Sequence, residues 1–506
     1  MKTFIKVFLI FLAVYILFMG GHLYSPDEEI VFRTTEAICE RGTLAIEPLL
    51  GFASKQGADG REYGQYGIGQ SLAAIPFYWT GKALAAMAAD GPAPRWIAGQ
   101  TQYHEMTMRS TRLRLGVSLF NQVTTALLCA VFFTFVLKVS GDRRSAWVST
   151  VLLGLGTYVL PHSRTFFSEP LAALCAFGAF SLLYYGLERR GTSFIVLAGA
   201  VFAFGLLVRL DSLFFIPGYL AMIFLMNARG TEGGIRGALV AQYKSPEAAR
   251  GYLFFLPLAA AFFIIFAMNY SRFGSLFSTG YEDQSEGLRF TTPLHEGLYG
   301  YLFSVGRGLF FFSPPLAAAL FGWKKFHRRH PQLSTAAAVL ILSFFIVQCK
   351  WQNWAGGWCW GPRHIYQIHV FLSIPLVFVF EGQWTRMKRA ALAMVLGAGL
   401  FVQILGSSVN FIDYYRDFFT TPRQEPNNPM MWYRESAPFL DSAYALYILD
   451  EEGRPLRRVP LEVLVAPIQN SLYIPQHSAW SGYPVMLQLG RHDFFWLRLL
   501  SKSGRQ

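Results

Sequence analysis

Three groups of residues in the 506-residue sequence combine types and spacings that can do chemistry. The first is the acidic pair Asp27-Glu28, which follows Ser25-Pro26 at the end of an uncharged stretch, 7–26. A carboxylate at the depth where a lipid head group meets water can take a proton from an acceptor hydroxyl while a lipid phosphate departs nearby. The plainer role is helix capping, because Ser at N-cap, Pro at the first helical position and acids in the first turn make a strong helix start. The second group is Arg164, Glu169, Arg209, Asp211, Lys350 and Arg363, all at the ends of uncharged stretches. Ionisable groups at membrane depth are functional candidates by default, with ion pairing, such as Arg209 with Asp211 or Arg164 with Glu169, as the structural alternative. The third is the run from Lys350 to His364, with Trp351, Trp354, Trp358 and Trp360 interleaved with Gly356-Gly357 and Gly361-Pro362-Arg363. An interfacial aromatic belt needs no such glycines and no Arg. Glycine lets backbone approach a ligand, and a guanidinium fork matches phosphate. Arg363 and Lys350 are therefore expected on a phosphate, with Trp351, Trp354 and Trp358 around a sugar or acceptor.

A further stretch contains Thr279-Gly280-Tyr281-Glu282, then His295, and closes on Gly306-Arg307-Gly308. Arg307 is a second phosphate candidate. Tyr281, Glu282 and His295 are candidates for an acceptor groove, against the alternative of a polar loop with turn glycines.

The elements that must position these groups are membrane helices. Hydrophobic residues make up 53% of the chain and charged ones only 15%, where a soluble chain carries roughly a quarter charged residues. Stretches free of Asp, Glu, Lys and Arg, and long enough to cross hydrocarbon, occur at 7–26, 115–137, 145–163, 170–187, 191–208, 212–228, 251–271, 308–323, 331–349, 364–380 and 390–412. The uncharged stretch 63–81 is too Gly-rich and polar to span. Short connectors on one side, with Lys2 and Lys6, hold 18 Lys/Arg against five Asp/Glu, which leaves 26 of each for the rest of the chain. By the positive-inside rule the amino end is inside and, after eleven spans, the carboxyl end outside. The net charge of +13 is then a topology signal, and no nucleic-acid partner is expected. Residues 27–114, 272–307 and 413–506 form the outward mass. No phosphate loop or dinucleotide fingerprint is present on the inward side.

Within the first outward segment an amphipathic helix is expected from Pro26 to about Gly42, flat on the membrane surface. Ile30, Val31, Phe32, Ala37 and Ile38 would lie on one side, with Glu29, Arg33, Glu36 and Glu40 towards the other. A second interfacial helix is expected from Ile68 to about Ala89. The tail reads as a small α+β appendage, with a strand over Leu461 to Val465, a turn at Asp450-Glu451-Glu452-Gly453, and an aromatic stretch from His492 to Leu500 resting on the membrane.

Pro26-Asp27-Glu28 after the first span, followed by two interfacial helices, resembles the GT-C glycosyltransferases. Among them are the dolichyl-phosphate-mannose-dependent mannosyltransferases and the lipid A aminoarabinose transferases. Ser168-Glu169-Pro170 resembles the acid at the outer start of the fourth span in these enzymes, and Arg209 and Asp211 resemble a turn at the outer end of the fifth. The segment Pro76-Phe77-Tyr78-Trp79 takes the place of a Lys-Pro-x-x-x-Tyr-Trp segment, whose Lys is absent here. Trp354-Ala355-Gly356-Gly357 followed by Gly361-Pro362-Arg363 resembles a pattern in uncharacterised bacterial GT-C-like proteins. The resemblance covers about residues 1–410.

It implies an all-α polytopic membrane protein with about 11 transmembrane helices and a GT-C-like module over 1–412, followed by the small periplasmic region 413–506. It implies Asp27 as general base, with Glu28 as its neighbour. Arg363, Arg307, Arg209, Lys350 and Arg164 would serve the donor phosphate, and Trp351, Trp354, Trp358, Tyr281, Glu282, His295, Glu169 and Asp211 the sugar or acceptor. The expected partners are a polyprenyl-phosphate-linked sugar, membrane lipids and a periplasmic acceptor, with the chain in a bacterial inner membrane. No protein-caged metal is expected, although a divalent cation could sit loosely near Asp27 or Glu169. Two other readings stay open: an oligosaccharide ligase using a pyrophosphate-linked donor, and a lipid or polysaccharide transporter. Five cysteines exclude a disulfide scaffold, with one bridge, Cys39 to Cys359, conceivable on the outward side.

Overall fold

The computed structural model describes residues 2–47, 54–87, 91–92, 107–189, 191–229, 246–280, 289–357, 359–411, 414, 438–440, 446–449, 455–459, 478–488 and 492–503. Helix α1 (Lys2–Leu17) leads through a turn into α2 (Pro26–Arg41). The hairpin β1 (Ser54–Gln56) and β2 (Glu62–Gly64) follows, then the short helices α3 (Ile68–Ala73) and α4 (Ile75–Ala86). The helical bundle comprises α5 (Met108–Ser140), α6 (Arg143–Gly156), α7 (Glu169–Arg189), α8 (Thr192–Val208), α9 (Leu210–Asn227) and α10 (Ala249–Phe273). It continues with α11 (Leu294–Phe303), α12 (Pro315–Arg329), α13 (Pro331–Lys350), α14 (Arg363–Phe380) and α15 (Arg386–Ser408).

Among the described residues seven helices, α5, α7, α9, α10, α13, α14 and α15, are long and apolar enough to cross a membrane. The chain is a multi-pass membrane protein on that ground. Helix α8 is apolar but shorter. The other uncharged stretches also fall on helices, but broken or short ones. The first span ends at Leu17 instead of 26, 145–163 divides after Gly156, and 308–323 divides into Leu309–Phe312 and α12. Proline at the first or second helical position opens α9's main turn run, α10's and α13, where its missing N–H costs nothing.

The core lies between α5, α7 and α14. Buried shares of 78% for α7 and 83% for α14 put them at the centre, whereas α10, at 22%, turns most of its side chains outward. Phe135 meets Phe177 at 5.2 Å and Phe180 meets Phe371 at 5.2 Å, each edge to face, the arrangement the ring quadrupole favours. Helix α4 crosses α5 so closely that a Cβ on Gly81 would lie 2.2 Å from Leu113 O, and one on Gly116 would lie 2.3 Å from Gly81 Cα. Only glycine permits that approach.

Helix α2 starts and stops as its sequence dictates: Ser25 is the N-cap and Gly42, at φ 61°, the C-cap. Its acids are divided between core and solvent, with Glu40 exposed and Glu36 part-buried. Glu28 and Glu29 are buried with Ile30, Val31 and Phe32. Glu29 takes a two-pronged contact from Arg114, at 2.5 and 2.9 Å, and a third bond from Arg33 at 3.1 Å. The amphipathic reading missed this because Arg114 is 85 residues away. The second interfacial helix is two helices, α3 and α4, broken at Ala74 ahead of Pro76.

In the tail, β3 (Pro438–Leu440), β4 (Leu446–Leu449) and β5 (Pro455–Val459) form an antiparallel sheet in that order, with Phe439 opposite Tyr447 and Tyr447 opposite Arg458. The expected strand at 461–465 and turn at 450–453 lie outside the described residues. Two further helices, α16 (Ala479–Gln488) and α17 (Phe495–Ser503), complete the described chain. All five cysteines are free, and Cys359 is buried with its Sγ 3.3 Å from Gly361 O, so Cys39 and Cys359 form no bridge.

Candidate functional site

Asp27 stands at the second position of α2, one residue past the proline that opens it. Its Oδ2 accepts from Arg363 Nη2 at 3.0 Å. Arg363 sits where the loop after α13 becomes α14, and its guanidinium lies over the Phe167 ring at 4.5 Å. Stacking on one face and an ion pair at the edge fix the planar fork in one orientation.

Glu28 does something different. Its Oε2 accepts the Tyr24 N–H at 2.6 Å, while its own N–H is capped by Ser25 Oγ at 3.4 Å. This reciprocal arrangement is a capping box displaced by one residue. Burial lifts the Glu28 carboxyl to about 8, against the opposing pull of the Tyr24 and Phe166 amides. Burial thus favours the neutral form of Glu28, which holds the turn that presents Asp27.

Beside this pair runs a second ion network. Arg209 binds Asp211 through Nη2 at 2.7 Å and Glu169 through Nη1 at 2.9 Å, and Ser168 Oγ lies 3.2 Å from the same nitrogen. Asp211 also accepts from Gln348 at 3.1 Å and Gln367 at 3.2 Å. Glu169 Oε2 is buried with no hydrogen-bond partner, and Glu169 is within electrostatic reach of Arg363. The expected Arg209–Asp211 pair is present, whereas Glu169 pairs with Arg209 and not with Arg164.

The network borders a cavity of ≈ 320 Å³. Leu206, Val208, Leu213, Phe214, Ile265 and Met268 give it apolar walls, and Arg209, Asp211, Arg272, Gln65 and Trp351 give it polar points. Trp351, on the cavity wall, stacks on His364 at 5.1 Å, and His364 follows Arg363 in the chain.

The remaining expected residues separate into two sets. Arg307 is buried and donates to the Ala355, Gly306 and Gly357 carbonyls at 2.5, 2.9 and 2.5 Å. It holds the Trp-rich loop by its backbone. Trp354 is buried edge-on to Tyr301 at 5.4 Å. Arg164 is buried against Asp493 at 2.7 Å. These three support the site from behind. His295 is exposed on α11, and Lys350 ends α13, with its carbonyl bound by the Thr292 N–H at 3.1 Å. Trp358, Tyr281 and Glu282 lie outside the described residues. Among the described residues there is no cluster of three or more His, Cys, Asp or Glu that could hold a metal ion.

Sequence reasoning missed Arg272. It is buried at the C-terminal end of α10, bound to Gly64 O at 3.0 Å and Asn269 Oδ1 at 3.1 Å, and stacked on Phe273 at 4.8 Å. No ion pair within 4 Å forms between it and a described carboxylate. Its position directly after the uncharged stretch 251–271 was the available signal.

No protein-family model and no curated protein matches the chain. Among solved structures it is similar to the crystal structure of ArnT from Cupriavidus metallidurans bound to undecaprenyl phosphate, with 11% identity and a TM-score of 0.49, over 78% of this chain and 62% of that one. The apo state of the same protein gives 12% identity and a TM-score of 0.47, over 78% and 61%. The chain thus spans less than two thirds of the length of the ArnT chain.

Proposed function

We propose that this chain is a membrane glycosyltransferase that moves a sugar from a polyprenyl-phosphate donor to an acceptor hydroxyl on the outward side. The observation that carries the proposal is an apolar cavity with arginines on its wall, linked through the Trp351–His364 stack to the segment of the carboxylate–guanidinium pair at α2's start. Apolar walls suit an isoprenoid tail, and Arg272 and Arg209 suit the phosphate that joins tail to sugar. Asp27 suits the acceptor.

In the proposed step the acceptor oxygen attacks the anomeric carbon. The bond from that carbon to the phosphate oxygen breaks, and its electron pair leaves with the lipid phosphate. The acceptor proton passes to Asp27, and the anomeric configuration inverts. Arg272 and Arg209 take up the charge that develops on the phosphate. Arg363 holds the Asp27 carboxylate in place through their 3.0 Å contact. The site lies at one end of the bundle, which favours one-sided chemistry over alternating transport.

The test is transfer from a radiolabelled polyprenyl-phosphate sugar by the purified protein in nanodiscs, with a pyrophosphate-linked donor in parallel. The monophosphate donor is expected to be consumed. Asp27→Asn should lower the rate by about 10²–10⁴-fold while inserting normally. An Asp27→Asn protein that transfers at near wild-type rate would remove the proposed base, and exclusive use of the pyrophosphate donor would replace the donor class.

A further inference from the structure

The segment around α17 reaches back across nearly the whole chain to the turn that precedes Asp27. Helix α1 ends at Leu17, so its last carbonyls need donors from elsewhere. Phe18 and Met19 N–H groups bind the Val14, Tyr15 and Ile16 carbonyls, and the tail adds a second donor to Ile16 and binds two carbonyls of the turn that follows. Trp496 Nε1–H donates to Ile16 O at 2.9 Å, Phe495 N–H to Met19 O at 3.1 Å, and Arg498 Nη2 to Gly20 O.

At the centre of this contact is Asp493, which is 4% exposed. His22 Nε2 lies 2.8 Å from its Oδ1, Arg164 Nη2 2.7 Å from its Oδ2, and Arg498 Nη1 3.2 Å from its Oδ1. Its own N–H donates to Ser408 O at 2.9 Å, at the end of α15. Burial works against the ionised form, but His22, Arg164 and Arg498 outweigh it and hold the carboxyl well below the usual carboxylate range.

Two of those partners belong to the segments that carry the transfer site. His22 is in the turn whose Tyr24 N–H is clamped by Glu28, one residue from Asp27. Arg164 is in the loop that continues into Phe167, on which Arg363 stacks, and Glu169, which binds Arg209. We propose that Asp493 is a positioning residue for the transfer site, joining the turn before Asp27 to the loop before Glu169. The chain's tail is then a working part of the site. The kinetic consequence rests on the transferase reading; the structural consequence does not.

Asp493→Asn and Asp493→Glu in the full-length protein in nanodiscs test this, by amide hydrogen exchange and by donor kinetics. Asp493→Asn should speed exchange at least tenfold over 18–28 and 163–169. It should lower kcat tenfold or more, with the donor KM within twofold of wild type, and Asp493→Glu should restore most of both. Exchange that changes only within 478–503, or faster exchange in both segments with kcat unaltered, overturns the proposal. Where Asp493→Asn does not accumulate, His22→Gln, which removes one of the three side-chain contacts, is read by the same criteria. A wild-type protein that transfers no sugar defeats the transferase reading alone, because the exchange measurement still decides the role of Asp493.

Discussion

Asp27 and Arg363, 336 residues apart, meet at 3.0 Å with the guanidinium stacked over Phe167. The stack and the ion pair use two different faces of one planar group. Lysine can supply the charge but not the plane. Arg363→Lys is therefore expected to lower kcat by about 10–100-fold, the loss of one charge-assisted contact of roughly 1.5–3 kcal/mol. A melting measurement on the same variant should show a much smaller relative change. Equal losses in kcat and stability would assign Arg363 to packing.

Arg272 and Arg209 line the same cavity but differ in their company. Arg209 faces Glu169 and Asp211, whereas Arg272 meets a carbonyl and an amide oxygen. An arriving phosphate gains more from the cation that no described carboxylate neutralises. Arg272→Ala should raise the donor KM by about tenfold or more, with Arg272→Lys intermediate. Titration of polyprenyl phosphate against both variants, followed by inhibition of transfer, checks the order.

Glu28 makes a pH prediction whose sign is fixed. Burial places its carboxyl at about 8 in the folded state, above the ordinary value of about 4.3. Between those two values the folded chain binds the extra proton, so its stability falls as pH rises from about 4.3 to 8 and then levels off. Glu28→Gln keeps an acceptor for the Tyr24 N–H and removes the titration. It should retain transfer activity and gain stability over wild type progressively across that window. Thermal melts of both proteins from pH 5 to 8.5 make the comparison; parallel curves would show that Glu28 is ionised throughout.

The crossing of α4 and α5 leaves no room for a methyl group at Gly81 or Gly116. Gly116→Ala should cost about 1–3 kcal/mol through forced separation of the two helices. The cost should appear as a lower melting temperature. Gly141→Ala is a poorer control, since that residue adopts φ 74°; Gly397→Ala, with open space around it, should leave the melt unchanged.

Much of the architecture was legible because membrane helices are written locally. Uncharged length marked the spans, and Ser25, Pro26 and Gly42 marked both ends of α2. The acid before α7, the Arg209–Asp211 turn and Arg363 were legible too, as charges placed where a bilayer penalises them. What stayed hidden depends on partners far along the chain. Glu29 looked like a solvent-facing acid because nothing near it announces Arg114. Arg164 and Arg307 looked like phosphate ligands because their type and depth were right. Their guanidiniums instead serve Asp493 and the backbone of the Trp-rich loop, contacts that only the packed bundle creates. Arg272 was passed over although it stands, like Arg164, Arg209 and Lys350, directly after an uncharged stretch; its place on the cavity wall appears only in the packed bundle.

The contact between His22 and Asp493, 471 residues apart, also sets an order of events in the making of the protein. A ribosome adding roughly 5–20 residues per second leaves at least about 25 s between emergence of the two partners. During that interval the spans can insert while the turn before Asp27 still lacks its anchor. A newly made chain would thus pass from an inserted but incomplete form to a finished one in a single late docking step. Truncation ahead of Asp493 would leave a protein that resides in the membrane without maturing.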